Sequence, residues 1–193
     1  MKIEIRGKDR ALISGYVNAV ERRSKVLRYP GEPPFREIVK AGTFDRALRR
    51  GGKVEMRLDH GRTLCDTQSV LELREDNVGL YASAEVTDEE TVEAAKSGHL
   101  TGWSFGFRCL HENKQIDSDG VELRELDDIE LLEVSILSKK TPAYIATSVE
   151  VRDNGEPVEQ RSSEDAVTVN VQTGADTSAE EAELEILKLY GGK

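Results

Sequence analysis

The chain has 193 residues, of which 37% are hydrophobic and 33% charged, with a net charge of −10. That length allows one well-buried domain plus a smaller extension, and the composition suits a soluble globular protein. No apolar run approaches the ~18 residues of a membrane span, an acidic chain without a recognition motif argues against nucleic-acid binding, and two cysteines, Cys65 and Cys109, are too few for a thiolate zinc centre.

In chain order, Met1 to Arg6 alternates apolar and charged residues, a strand pattern rather than the apolar core of a signal peptide, so the cytoplasm is the default location. Residues 11–17 predict a strand with a glycine interruption, and residues 29–34, rich in Pro and Gly, predict a loop. Phe35 to Val39 predicts a short strand. Thr43 to Arg50 has helix punctuation: Thr43 as N-cap, Arg49 and Arg50 at the C-terminus, and Gly51 as the stop. Val54 to His60 alternates, which puts Val54, Met56, Leu58 and His60 on one face and Asp59 on the other.

Residues 69–73 and 78–86 predict a hairpin joined by residues 74–77, and Asp88 to Gly98 predicts a helix. Residues 100–110 and 121–126 predict paired strands across a polar loop at 113–120. Residues 129–138 predict another apolar strand, broken by Thr141-Pro142-Ala143. The division expected is a folded domain over 1–152, a flexible acidic linker over 153–178 and a short C-terminal helix and tail over 179–193. Charge is uneven: residues 1–62 hold 16 Lys/Arg against 8 Asp/Glu, a balance of +8, so the remainder carries −18. A basic N-terminal face could dock an acidic partner; a solvated surface is the plainer reading.

Three segments carry the residue types of a serine hydrolase: Leu58-Asp59-His60, Trp103-Ser104-Phe105-Gly106-Phe107 and Leu132-Glu133-Val134-Ser135. Trp103, Phe105 and Phe107 alternate onto one face, leaving Ser104 on the other with Gly106. Gly106 would let a peptide backbone approach. Leu132, Val134 and Ile136 share a face, leaving Glu133 and Ser135 opposite. In these terms Ser104 is the candidate nucleophile, His60 the candidate base and Glu133 its candidate partner. Each residue taken singly is also an ordinary strand residue. His99 and His111 compete with His60, Ser135 is a second candidate nucleophile, and Cys109 raises a cysteine-hydrolase alternative. A metal site at Asp59 and His60 lacks ligand spacing.

Five matches in order resemble the prohead (capsid maturation) proteases of HK97-like tailed phages over about residues 3–150. They are Gly42-Thr43-Phe44, Leu58-Asp59-His60, Asn77-Val78-Gly79-Leu80, Ser104-Phe105-Gly106-Phe107, and Leu132-Glu133-Val134-Ser135 followed by Pro142-Ala143. The resemblance implies an α+β, mainly β fold: an assemblin-like (herpesvirus-protease-like) β-barrel flanked by helices. It implies a serine endopeptidase with Ser104 as nucleophile, His60 as general base and Glu133, or a second histidine (His99 or His111), as third member. It also implies cleavage of the scaffold or delta domain of the major capsid protein, and of the protease itself, inside the procapsid in the host cytoplasm. The resemblance implies no metal or cofactor, and fold analogy suggests a homodimer. The competing reading is a non-enzymatic capsid-assembly protein in which His60 and Ser104 are only structural.

Overall fold

A computed structural model of the chain describes residues 1–29, 31–139, 149–151, 157–163 and 172–173. The architecture is mainly β with two short helices. The strands are β1 (Lys2–Arg6), β2 (Arg10–Ala19), β3 (Phe35–Val39), β4 (Glu55–Leu58), β5 (Arg62–Asp66), β6 (Glu72–Glu75), β7 (Gly79–Val86), β8 (Leu100–Ile116), β9 (Glu122–Ser138), β10 (Val149–Val151), β11 (Pro157–Ser163) and β12 (Gln172–Thr173). The helices are α1 (Thr43–Arg50) and α2 (Glu89–Lys96). One sheet runs β12-β1-β2-β7-β6 and the other β10-β11-β8-β9-β4-β5, with β3 also on β9; the sheet curls into a half-barrel.

Strand β9 organises the second sheet. One edge pairs antiparallel with β8 along nearly its whole length. Its other edge is shared: β3 lies parallel on Glu122–Leu126, and β4 lies parallel on Glu133–Ile136. Helix α1 makes the crossover between those two parallel strands, which is the connection such pairing requires. This places the residues just after β4 beside the C-terminal half of β9.

The core lies between the two sheets. Trp103, Phe105 and Phe107 are buried as their alternation predicts, and Phe105 meets Phe44 of α1 edge-on at 5.4 Å. Truncating such a ring to alanine costs about 3–5 kcal/mol, so this stripe anchors β8. The opposite face of β8 is also covered at this point, because Ser104 has no exposed surface.

Several local expectations are corrected. Helix α1 starts at Gly42 (φ 83°), and Thr43 does not cap it; the Thr43 hydroxyl donates to the Leu126 carbonyl. The open N–H groups of Gly42 and Asp45 are taken by the Glu75 carboxylate at 2.6 Å each, a cap supplied by a distant strand. Residues 67–71 form turns around Asp66, so the β6–β7 hairpin begins at Glu72. Strand β5 was not anticipated, since Arg62–Asp66 lacks clean alternation.

Residues 113–116, expected in the loop, continue β8, and residues 122–128 join the expected strands 121–126 and 129–138 into one strand, with a turn of only Asp117–Val121. Residues 113–116 are largely solvated, so their sequence is polar and reads as a loop. A register shift between Gly106 and Phe107 also skips Leu132. Leu131 fills the core position opposite Phe107, and Leu132 leaves the core face assigned to it. Helix α2 agrees with expectation, capped by the Asp88 carboxylate on the Thr91 N–H at 2.9 Å. Residues 157–163, inside the stretch expected as a linker, form β11. The Thr141-Pro142-Ala143 break and the 179–190 helix lie outside the described residues. Among the described residues no helix is long and apolar enough to cross a membrane.

Candidate active site

The site is built from register. Ser162 of β11, Ser104 of β8, Ser135 of β9 and Arg57 of β4 form one cross-strand row. Gln160, Gly106, Glu133 and Glu55 form the next. Cross-strand partners project from the same face of a sheet, so Ser104, Ser135 and Glu133 share a face although β8 and β9 are separated in the chain.

His60 reaches that face by a turn and not by strand parity. Strand β4 ends at Leu58, and Asp59 and His60 both take the left-handed conformation, with φ of 51° and 60°. For non-glycine residues this costs about 1 kcal/mol each, and tertiary contacts must supply the difference. The Asp59 N–H donates to the Ile136 carbonyl (2.9 Å), and its carboxylate accepts from the Ser138 N–H and hydroxyl, both at 2.7 Å. Asp59 therefore pins the turn to the end of β9. It does not orient His60, although strand parity is not the reason.

The His60 ring turns to Glu133, with Nδ1 2.7 Å from Oε1, and both residues are buried. Glu133 also receives Arg57 Nε at 3.2 Å and the Ser135 hydroxyl at 3.4 Å. Arg57 in turn donates to the Glu55 carboxylate at 2.6 Å and to the His60 carbonyl at 3.3 Å. A hydrogen bond from Lys53 and the Arg57 guanidinium hold the Glu55 carboxyl down at about 2 against the effect of burial. Sequence reasoning missed Arg57. Its signal was its place three residues before His60, in the parity of the polar face.

Gly106 makes the Glu133 position possible. A Cβ there would lie 2.8 Å from Glu133 Cγ and 3.1 Å from Cδ. The space expected for an approaching peptide backbone is thus occupied by the carboxylate arm.

Ser104 does not bond to His60. Its hydroxyl donates to the Arg161 carbonyl at 2.8 Å, while His60 Nε2 is buried and has no hydrogen-bond partner among the described residues. In the neutral tautomer that donates Nδ1–H to Glu133, Nε2 would carry the lone pair that a general base needs. His99 and His111 are exposed, and neither bonds to this group among the described residues; His111 Nδ1 pairs with Asp127 at 2.6 Å. Burial pushes the thiols of Cys65 and Cys109 up to about 11, so both are protonated at neutral pH and poor nucleophiles. Among the described residues no group of three His, Cys, Asp or Glu could hold a metal ion.

A histidine held by a buried carboxylate, on the same sheet face as a strand serine, supplies the residue types of serine hydrolysis. The chain belongs to the Caudovirus prohead serine protease family, whose model matches residues 1–161. No curated protein and no solved structure matches it. Membership makes the chain a serine protease of the class that matures phage capsids.

Proposed function

We propose that Ser104, His60 and Glu133 are the nucleophile, general base and orienting acid of this protease. The observation that carries the reading is the buried His60–Glu133 contact of 2.7 Å, with Nε2 left without a hydrogen-bond partner among the described residues, and Glu133 on the sheet face that holds Ser104. Ser104 Oγ attacks a peptide carbonyl as His60 takes its proton at Nε2. Glu133 holds the Nδ1–H and balances the imidazolium. His60 then returns the proton to the leaving amine, and water hydrolyses the acyl-serine by the same relay. For this to start, the Ser104 hydroxyl must leave the Arg161 carbonyl and donate to His60 instead.

The substrate is the scaffold or delta domain of the major capsid protein within the procapsid, in the host cytoplasm, and the protease also cuts itself. Kinship to the assemblin barrels and a homodimeric state belong to the same reading. Co-expression with the capsid protein, followed by mass spectrometry, tests it. Ser104→Ala is expected to leave the precursor uncut, with an unchanged circular dichroism spectrum. Processing at the wild-type rate by Ser104→Ala would remove Ser104 as nucleophile.

A further inference from the structure

Strand β11 runs antiparallel along the strand that carries Ser104, with Ser162 opposite Ser104 and Arg161 opposite Phe105. An extended peptide added to a sheet edge is a standard way for a protein to hold a peptide: main-chain bonds give affinity and side-chain pockets give selection. Here the added strand brings a peptide carbonyl, that of Arg161, to 2.8 Å from the Ser104 hydroxyl. The next peptide bond along the strand is Arg161–Ser162.

The Arg161 side chain enters a pocket made for it. It is 4% exposed. Nε and Nη2 form a two-pronged contact with the Glu37 carboxylate at 3.0 and 2.7 Å, and Nη2 also meets Glu159 at 2.5 Å. Nη1 donates to the Tyr29 hydroxyl, and the guanidinium lies 5.1 Å from the Phe107 ring centroid and 5.3 Å from that of Tyr29. Glu37 sits on β3, away from Glu133, and is itself buried. A buried carboxylate without a cation is costly, so this pocket demands a positive charge. The planar fork suits arginine and not the point charge of lysine.

We propose, resting on Ser104 as the nucleophile, that β11 lies in the protease's own substrate groove, that the Glu37 pocket selects arginine for the residue on the acyl side of the cut, and that Arg161–Ser162 is such a bond. The step balances with water alone. Ser104 Oγ bonds to the Arg161 carbonyl carbon as His60 takes the hydroxyl proton, and the C–N bond to Ser162 breaks as His60 gives that proton to the Ser162 nitrogen. Water then cleaves the ester, yielding the Arg161 carboxylate and the free serine. Until that cut, β11 keeps the groove filled and the Ser104 hydroxyl engaged, so a capsid substrate is admitted only after β11 leaves.

The test uses the full chain, purified and also co-expressed with the capsid protein, with all products mapped by intact-mass spectrometry. Wild type is expected to yield fragments 1–161 and 162–193, and Ser104→Ala to remain whole. Arg161→Lys is expected to slow this cut at least about tenfold and Arg161→Gln to abolish it, because a site built around a buried polar group rejects a residue that leaves it unpaired. Mapped cuts in the capsid precursor should likewise follow arginine, a readout that needs no variant to fold. If wild type processes the precursor in a Ser104-dependent way yet cuts itself elsewhere or not at all, or its cuts ignore arginine, this inference falls and the proposed function stands. If Ser104→Ala still processes the precursor as wild type does, both fall.

Discussion

Glu37 and Glu133 are both buried carboxylates on strands of one sheet, each held by a basic side chain, yet they are finished differently. Glu37 and Arg161 satisfy each other: the fork is closed by Glu37, Glu159 and Tyr29, and those groups push the arginine pKa up although burial works against its charge. Glu133 holds His60 by one ring nitrogen, and the other is buried and without a partner among the described residues. The difference separates recognition from chemistry. A closed ion pair fixes what a site accepts, whereas a pair with a spare lone pair can still move a proton.

The largest expected effect breaks the open pair. Glu133→Gln keeps the shape but removes the charge that balances an imidazolium, and should lower kcat by roughly 10³–10⁴-fold in a precursor-cleavage assay. A loss of less than tenfold would remove Glu133 from the relay. The closed pair should instead answer in stability. Glu37→Ala takes away the buried, two-pronged partner of Arg161, leaving Glu159 as its remaining counter-charge, and should cost up to about 3–5 kcal/mol in urea unfolding. Measured in the Ser104→Ala background, which excludes self-cleavage, Glu37→Leu combined with Arg161→Met should recover most of that loss. A double variant as unstable as the single one would mean that packing, not charge pairing, sets the cost.

A smaller effect tests how the open pair is positioned. Gly106→Ala puts a methyl 2.8 Å from Glu133 Cγ, and should cost about 1–3 kcal/mol as the crowded strand shifts. Activity should fall further than that stability loss explains, because the carboxylate is displaced from His60. A fully active, destabilised Gly106→Ala would show that His60 tolerates the movement.

The smallest effect concerns the thiols, which serve neither pair. With both held at about 11, the thiolate fraction at pH 8 is small and grows about tenfold per pH unit toward that value. Iodoacetamide labelling of the folded protein should therefore be slow at pH 8 and accelerate as pH rises. Cys109→Ser should leave precursor cleavage within about twofold.

Much of the site was legible in the chain because it obeys period two. The alternation of Trp103, Phe105 and Phe107 placed Ser104 opposite the core, and Glu133 and Ser135 followed from Val134 and Ile136. Where backbone geometry departs from that period, the sequence misled. The bulge beside Glu133 moved Leu132 off the core face, and the left-handed turn at Asp59 and His60 broke the parity that seemed to rule their directions. Thr43 looked like a helix cap, and the cap came from Glu75, on another strand.

By itself, then, the sequence determined residue types, faces within each strand and the order of the motifs, because these depend on neighbours a few positions apart. Only the tertiary structure decided which faces meet. The parallel docking of β4 on β9 brings the turn after Leu58 to Glu133, and the antiparallel docking of β11 on β8 brings Arg161 to Ser104 and Glu37. Both are pairings across dozens of residues, selected by the burial of whole sheet faces and the compensation of buried charge, and no local pattern encodes them.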